Sequence, residues 1–301
     1  MNLKEREVRR CAGEVLTELG IATPPIDPFA IAAAKEIQVQ LASGFPPEVY
    51  GAMYLDASGF GIVISRGCHG DGHRAFTAAH ELGHYHCEGH VDAMFPAGHG
   101  QVLSMAGHFR DSKNAHEREA DWFASELLMP GRWTLSRVRS HAPTLEAVYQ
   151  LADEFQVSLC CAAIRYVELT DQAASVVVSK GGQIEWAAFS GRLKEHRWSR
   201  SAARRDWVPR NTATRRLAEA GSRVARAEED GSSGMLCEWF DGAPEFVRVE
   251  EEAVGLGSYG RVLTVLSIDD LPTVDELSEE EHSRSWRERD WRDAMRGYGL
   301  D

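Results

Sequence analysis

The fold is decided by one stretch, Phe76-Thr77-Ala78-Ala79-His80-Glu81-Leu82-Gly83-His84-Tyr85-His86. Residues four apart lie on the same face of an α-helix, so His80 and His84 can direct two imidazoles at one ion. Glu81 lies at the edge of that face, beside the coordination position that would stay open. The apolar and small neighbours predict a buried helix rather than a solvated surface helix with two ordinary histidines.

These residue types suit metal-assisted hydrolysis. Neutral imidazoles bind zinc without cancelling its charge, and zinc lowers the pKa of a bound water from about 16 towards about 7. Glu81 would then be the general base that takes a proton from the water and passes it to the leaving amine. A chance His-Glu-x-x-His in a chain of this length has odds of about a few per cent.

A catalytic zinc site needs a third protein ligand, and the candidates lie in a second predicted helix, residues 116–129, which Pro130 ends. Glu117 and Asp121 share a face, so Glu117 can ligate zinc while Asp121 accepts the free ring N–H of a ligating histidine. Glu119 is the rival ligand, but it lies about 200° round the helix from Glu117. We expect Glu117 to ligate, against the alternative of a solvated acidic helix start.

The two motifs together resemble the ImmA/IrrE family of zinc metallopeptidases over about residues 1–170. They are Phe-Thr-x-Ala-His-Glu-Leu-Gly-His and Glu-x-Glu-Ala-Asp-x-Phe-Ala-x-x-Leu-Leu-Met-Pro. The resemblance implies zinc ligands at His80, His84 and Glu117, and a general base at Glu81. It also implies an endopeptidase that cleaves a helix-turn-helix transcriptional repressor, in response to DNA damage or mobile-element signals, and so derepresses a stress or defence operon.

The chain is expected to be an α+β protein with three parts. Residues 1–140 are predicted to form a mainly helical zinc-peptidase domain with a small sheet, and residues 141–170 a helix-turn-helix-like hairpin. Residues 171–301 begin with a β-hairpin signature and are expected to form a sensor or regulatory domain resembling GAF or PAS modules. In that domain we predict a helix over residues 212–228 and a strand over residues 235–240.

Two segments are expected to line a substrate cleft. Residues 61–65 are predicted to be an edge strand that pairs with an extended peptide; the equally weighted alternative is a strand that only covers the core. Residues 88–112 are rich in histidine and glycine and are expected to form a mobile lid. His90, His99, His108, His116 and a tyrosine are all candidates for stabilising an oxyanion.

The six cysteines show neither a disulfide framework nor a Cys-x-x-Cys zinc pattern, which predicts reduced thiols in a cytoplasmic protein. Cys68 and Cys87 are candidates for a thiolate that fills the fourth zinc position and inhibits the enzyme. The alternative for each is a buried thiol without a role. No run approaches the ~20 apolar residues of a membrane span, so no membrane partner is expected.

One basic segment breaks an acidic background. The chain carries a formal net charge of −13, whereas residues 192–226 contain eleven basic and three acidic side chains, a net charge of +8. Arginines interleaved with tryptophans are typical of sites for single-stranded nucleic acid, here a candidate activator. The candidate contacts are Arg197, Trp198, Arg204, Arg205, Trp207 and Arg210. A solvated basic face paired with acidic side chains is the alternative.

The rival function is a DNA-binding transcription regulator with a structural metal site. In that case the helices predicted over residues 143–152 and 157–165 would bind the duplex directly. The second of these helices offers few side chains for reading bases beyond Arg165 and Tyr166, so a structural role that docks the protein substrate is favoured.

Overall fold

A computed structural model of the protein describes residues 2–46, 49–104, 114–196, 198, 207–257 and 260–277. The helices are, in chain order, α1 (Leu3–Glu18), α2 (Pro28–Ala34), α3 (Asp71–His86), α4 (His90–Met94), α5 (Ala115–Leu128), α6 (Gly131–Arg139), α7 (Leu145–Phe155), α8 (Leu159–Leu169), α9 (Gly191–Lys194), α10 (Ala213–Glu219), α11 (Gly221–Ala225) and α12 (Leu236–Trp239). The strands are β1 (Gln38–Ala42), β2 (Gly51–Asp56), β3 (Gly59–Ser65), β4 (Gly100–Ser104), β5 (Ala173–Lys180), β6 (Gln183–Phe189), β7 (Glu229–Met235), β8 (Arg248–Gly255) and β9 (Arg261–Ile268).

The first sheet has the order β1-β3-β2-β4. Strand β3 lies inside it, because Ile62 pairs with Val39 of β1 in parallel and with Met53 of β2 in antiparallel fashion. The prediction that residues 61–65 form an edge strand is therefore wrong. The short strand β1 takes that edge, and β4, from the segment expected to be a lid, takes the other.

Helix α3 is the centre of the first half of the chain, since every residue from Phe76 to His84 is buried. Helix α5 packs directly against it, and α1 packs against α5. The α3–α5 contact is close at Gly83, where a Cβ would lie 3.0 Å from Ala120 Cα and 3.1 Å from Phe123 Cβ. The two motif helices therefore meet backbone to backbone near the ends that carry their polar side chains.

The two helices predicted as a hairpin are α7 and α8, and α8 is buried along most of its length. The Arg165 side chain, 1% exposed, donates from Nε to the Met129 carbonyl at 3.0 Å and pairs with Glu126. The Tyr166 hydroxyl donates to the His141 carbonyl at 2.6 Å. Neither side chain is therefore available to read DNA bases.

The second sheet is antiparallel, with the order β6-β5-β9-β8-β7. One of its faces, including Val176 and Val265, belongs to the same hydrophobic core as α3, α5, α7 and α8. The opposite face, including Val177 and Leu266, packs in a separate core with Trp239. The sheet thus has two covered faces, one of them shared with the helices of the first half.

Three local predictions need correction. The helix expected over residues 212–228 is divided into α10 and α11, because Ala220 between them leaves the helical region at φ −97° and ψ 62°. The strand expected over residues 235–240 is mostly α12, since Leu236, Trp239 and Phe240 follow a helical spacing and are all buried. The segment expected to be a lid carries α4 and β4; its His108 lies outside the described residues. No described helix is both long and apolar enough to cross a membrane.

The Gly83 contact yields a test of the α3–α5 packing. We expect Gly83→Ala to lower the free energy of unfolding by about 1–3 kcal/mol, because the new methyl must push α5 away. Gly13→Ala in α1 is the matched control, since a Cβ there has nothing within 4 Å, and it should stabilise by about 0.5–1 kcal/mol. Urea unfolding of both variants measures the two effects, and equal stabilisation by both would contradict the packing.

Candidate metal centre

Helices α3 and α5 bring three donor groups together. The Nε2 atoms of His80 and His84 lie 3.1 Å apart. Glu117 Oε2 lies 3.2 Å from His80 Nε2, and Glu117 Oε1 lies 3.6 Å from His84 Nε2. In a tetrahedral zinc site with bonds of about 2.0–2.1 Å, neighbouring donors are roughly 3.3 Å apart. The spacing and the two-nitrogen, one-carboxylate chemistry of these donors therefore both fit a zinc ion.

Local structure explains why Glu117 reaches the histidines. Asn114 caps α5, with its side-chain oxygen accepting from the His116 backbone N–H at 3.0 Å. That cap starts the helix so that Glu117 falls in its first turn, where the orphan N–H groups favour a carboxylate. Glu117 then faces the fully buried His80 and His84 of α3.

Asp121 lies one turn after Glu117 and holds the other nitrogen of His80, with Oδ1 2.8 Å from Nδ1. A carboxylate accepts only, so it places the ring proton of His80 on Nδ1 and directs Nε2 towards the ion. Burial alone would lower the pKa of His80, but its hydrogen bonds to Asp121 and Glu117 raise that pKa to about 10. In the described part of the chain, the partner of His84 Nδ1 is an imidazole rather than a carboxylate, and burial lowers the pKa of His84 to about 4.

Glu81 is fully buried beside the two histidines, against the start of β2. A Cβ built on Gly51 would overlap Glu81 Oε1 and would lie 2.9 Å from Thr77 Cγ2. Only glycine therefore leaves room for the Glu81 carboxylate at this point. The sequence does not point to Gly51, because the residue pattern of a short strand does not show which of its residues will lie against the Glu81 carboxylate.

Glu119, the rival ligand, lies away from the three donors. Its Oε2 is 3.1 Å from His90 Nε2 and 3.6 Å from Lys4 Nζ. His90 is fully buried, and its Nδ1 is 3.2 Å from His84 Nδ1. From the sequence, His90 is only one of several histidines in the segment expected to be a lid. Its contacts with His84 and Glu119 depend on the turn at Gly89, which brings the chain back to the end of α3.

The two candidate inhibitory cysteines do not join the donor group, which in the described residues consists of His80, His84 and Glu117. The Cys68 thiol is buried, with Sγ 3.9 Å from the Tyr50 carbonyl oxygen. Cys87 is buried at the end of α3, and burial raises its pKa to about 12. Because neither thiol lies in this donor group, the geometry does not support the inhibitory role.

The other candidates for an oxyanion group are spread apart. His99 is exposed, and its Nδ1 lies 3.0 Å from the Ala97 carbonyl oxygen. His116 is half-buried, with its ring 4.4 Å from the ring of His90. His90 itself is engaged with His84 and Glu119. No described contact selects one of these histidines as an oxyanion donor.

The basic segment is only partly described, because Arg197, Arg204 and Arg205 lie outside the described residues. Trp198, one of the candidate nucleic-acid contacts, is 9% exposed, and its ring stacks on Phe240 at 5.6 Å in the second core. This placement gives no support to a contact with a base. Trp207 is 57% exposed, and Arg210 is also exposed. Four arginines of this segment instead pair with acidic side chains, as the solvated-face alternative anticipates; they are Arg215, Arg216, Arg223 and Arg226.

The chain is similar to one protein family and to a solved structure. Residues 39–166 match the peptidase family M78, described as the IrrE N-terminal-like domain. No curated protein matches the sequence. Among solved structures, a Mycobacterium tuberculosis transcriptional regulator is similar with a TM-score of 0.53 and 13% sequence identity, over 89% of this chain and 77% of that chain. At that identity the likeness concerns the fold alone.

The donor geometry predicts the effect of losing one ligand. We expect Glu117→Gln to weaken zinc binding by more than about 100-fold, because removing an outer partner of a ligand already costs about 10–100-fold. Glu146→Gln, at an exposed position in the first turn of α7, is the control and should bind zinc as the parent does. Competition with a chromogenic chelator measures both affinities. A larger loss in Glu119→Gln than in Glu117→Gln would make Glu119 the ligand.

Proposed function

Since residues 39–166 match the model of the IrrE N-terminal-like domain of peptidase family M78, we propose that the protein is a zinc-dependent endopeptidase that cleaves a helix-turn-helix transcriptional repressor. The observation that carries this proposal is the convergence of His80, His84 and Glu117 on one point, with the Glu81 carboxylate buried beside it. A protein substrate follows from the peptidase family, and the repressor from the motif resemblance. Cleavage would derepress a stress or defence operon, with DNA damage or a mobile element as the signal.

His80, His84 and Glu117 would hold the zinc ion, and Asp121 fixes the ring proton of His80 on Nδ1. Bound zinc supplies Lewis acidity, which polarises the scissile carbonyl and makes water a nucleophile at neutral pH. The single carboxylate among the ligands leaves the site with net positive charge, which favours the developing negative charge of acyl transfer.

Glu81 is the general base in this proposal. Its carboxylate takes a proton from the attacking water on one Oε atom and delivers it to the nitrogen of the leaving amine. Gly51 supports that role, because a larger residue would occupy the space of Glu81 Oε1. Burial of the side chain keeps competing water away from the carboxylate while the proton is held there.

The substrate peptide would pair with β4 rather than with the interior β3. Ser104 of β4 lies opposite Gly51 of β2, the residue that contacts Glu81. Among the described strands, β4 has a partner on one side only. An extended peptide added to its other side would run past the candidate base with its backbone groups satisfied by the strand.

The C-terminal sheet would serve as a sensor. When β5 is counted as the first strand of this sheet, the strands lie side by side in the order second, first, fifth, fourth, third, and helices α9 to α11 follow the second strand. This order supports the PAS-like resemblance. Single-stranded DNA is the proposed activator, and its support is the exposed Trp207 ring, with the Arg215 guanidinium 6.0 Å from the ring centre. Six free cysteines support a reducing, cytoplasmic location.

The rival function, a DNA-binding regulator with a structural metal, has less support. Its recognition helix would be α8, whose Arg165 and Tyr166 are buried and bonded within the protein. The Mycobacterium tuberculosis structure is named a transcriptional regulator, a name that suits a peptidase acting on a regulator as well as a DNA-binding protein.

The general base is tested by Glu81→Gln. We expect this variant to retain zinc, because Glu81 is not among the three converging donors, and to lose cleavage by about 100-fold or more. The measurements are zinc content and the appearance of a discrete fragment from a helix-turn-helix repressor encoded beside the protein. Derepression that persists in cells carrying Glu81→Gln would contradict the peptidase function.

The activator is tested at Trp207. We expect Trp207→Ala to weaken binding of a short oligothymidine by about 1–3 kcal/mol, the contribution of one stacked base, and to make cleavage independent of the added strand. Phe246→Ala is the matched control, since Phe246 is an aromatic residue of the same unit with 56% exposure against 57% for Trp207. Fluorescence anisotropy measures the affinities. Equal binding by both variants would remove Trp207 from the DNA site.

A further inference from the structure

The second histidine of the metal centre has an unusual partner on its outer nitrogen. His84 directs Nε2 at the other donors, and its Nδ1 lies 3.2 Å from Nδ1 of His90. Both rings are fully buried, so no solvent replaces this contact. A neutral imidazole has one N–H and one acceptor nitrogen, so one of the two facing nitrogens must donate and the other must accept.

Glu119 decides the direction. Its Oε2 lies 3.1 Å from the remaining nitrogen of His90, Nε2, and the side chain is 9% exposed. Lys4 of α1 lies 3.6 Å from the same oxygen and forms an ion pair with the carboxylate. An ionised carboxylate only accepts, so the proton of His90 is on Nε2 and its Nδ1 is the acceptor. His84 must then donate from Nδ1, which leaves its Nε2 lone pair facing the ion.

We propose that His90 and Glu119 are positioning residues that act as a relay of two hydrogen bonds, in which the carboxylate sets the tautomer and orientation of His84 through an intervening imidazole. The inference rests on the proposed function, because it concerns a zinc ligand of that site. Among the described residues, the group that contacts His84 Nδ1 is His90, and the relay gives His84 the constraint that Asp121 gives His80 directly.

The relay explains the three acidic residues at the start of α5. Glu117 is a ligand, while Asp121, one turn later, orients the first histidine. Glu119 points to a different side of α5 and reaches the second histidine only because His90 is placed between them. Helix α5 thus orients both imidazoles: Asp121 contacts His80 directly, and Glu119 acts on His84 through His90.

A tight turn places His90. Gly89 adopts the left-handed conformation at φ 81° and ψ −9°, and His90 is the first residue of α4. The His90 backbone N–H donates to the Cys87 carbonyl oxygen at 3.3 Å. The turn therefore returns the chain to the end of α3 within a few residues of His84. A residue with a Cβ is disfavoured at Gly89, so the turn itself is encoded in the sequence.

The variants His90→Phe and His90→Asn separate this relay from simple packing. Phenylalanine fills the space but offers no acceptor, whereas Asn Oδ1 can take the place of His90 Nδ1. We expect zinc affinity to fall by about 10–100-fold in His90→Phe and by less in His90→Asn. Asp92→Asn, at an exposed position in the same short helix, should leave affinity unchanged. An affinity in His90→Phe equal to or above that of His90→Asn would overturn the relay.

The tautomer can be read without zinc and without any variant. In the metal-free protein, ¹⁵N shifts of the imidazole rings should show His84 with its proton on Nδ1, and Glu119→Leu should produce a mixture of tautomers. A His84 proton on Nε2 in the unsubstituted protein would overturn the relay. Failure of the unsubstituted protein to bind zinc would instead overturn the proposed function. Tight zinc binding with unchanged affinity in His90→Phe would remove the relay and leave that function standing.

Discussion

The structure depends on the close contact between α3 and α5 at Gly83 and Ala120. Without a side chain at Gly83, the α5 backbone comes near enough for Cα of Ala120 to lie 3.0 Å from where a Cβ would be. This separation is what allows Glu117 and Asp121 on α5 to reach both nitrogens of His80 on α3. A wider spacing would leave buried imidazoles and carboxylates unpaired, at a cost of several kcal/mol each. The same separation between α3 and α5 therefore determines both the packing of these helices and the position of the candidate metal ligands.

That constraint explains the polar composition of an otherwise apolar core. His80, Glu81 and His84 are fully buried among Phe76, Ala79, Leu82 and Phe123. Burial disfavours the charged forms of such groups, yet the facing His80 and His84 imidazoles lower the pKa of Glu117 well below its usual range. A cluster of imidazoles and carboxylates held apart from water is poorly suited to stability and well suited to holding a cation.

Sequence reasoning went furthest where chemistry and periodicity agree. The spacing of His80 and His84, and of Glu117 and Asp121, defines faces of single helices, and the structure brings these side chains together. The order of strands in the first sheet does not follow from the sequence, because the residue pattern of 61–65 is the same for an interior strand and an edge strand. The sequence does not place Trp198, because an aromatic residue among arginines has the same composition whether it stacks on a base or on Phe240. The sequence also does not separate His90 from the neighbouring histidines, since the partner of His90 is set by a turn rather than by a helical period.

The boundary near residue 170 marks a change of secondary structure more than a change of core. Val176, Val178 and Leu263 of the second sheet share one hydrophobic core with Phe76 and Leu82 of α3. Polar contacts join the same parts, since Glu252 accepts from the Leu145 backbone N–H at 2.6 Å and Glu229 accepts from the Tyr149 hydroxyl at 2.8 Å. At the other side of this helical pair, a Cβ on Gly72 would lie 2.7 Å from the Val157 carbonyl carbon. Helix α7 therefore contacts the second sheet, and the turn between α7 and α8 contacts the first turn of the metal helix. Removing the sheet would expose one face of the core that positions the metal centre.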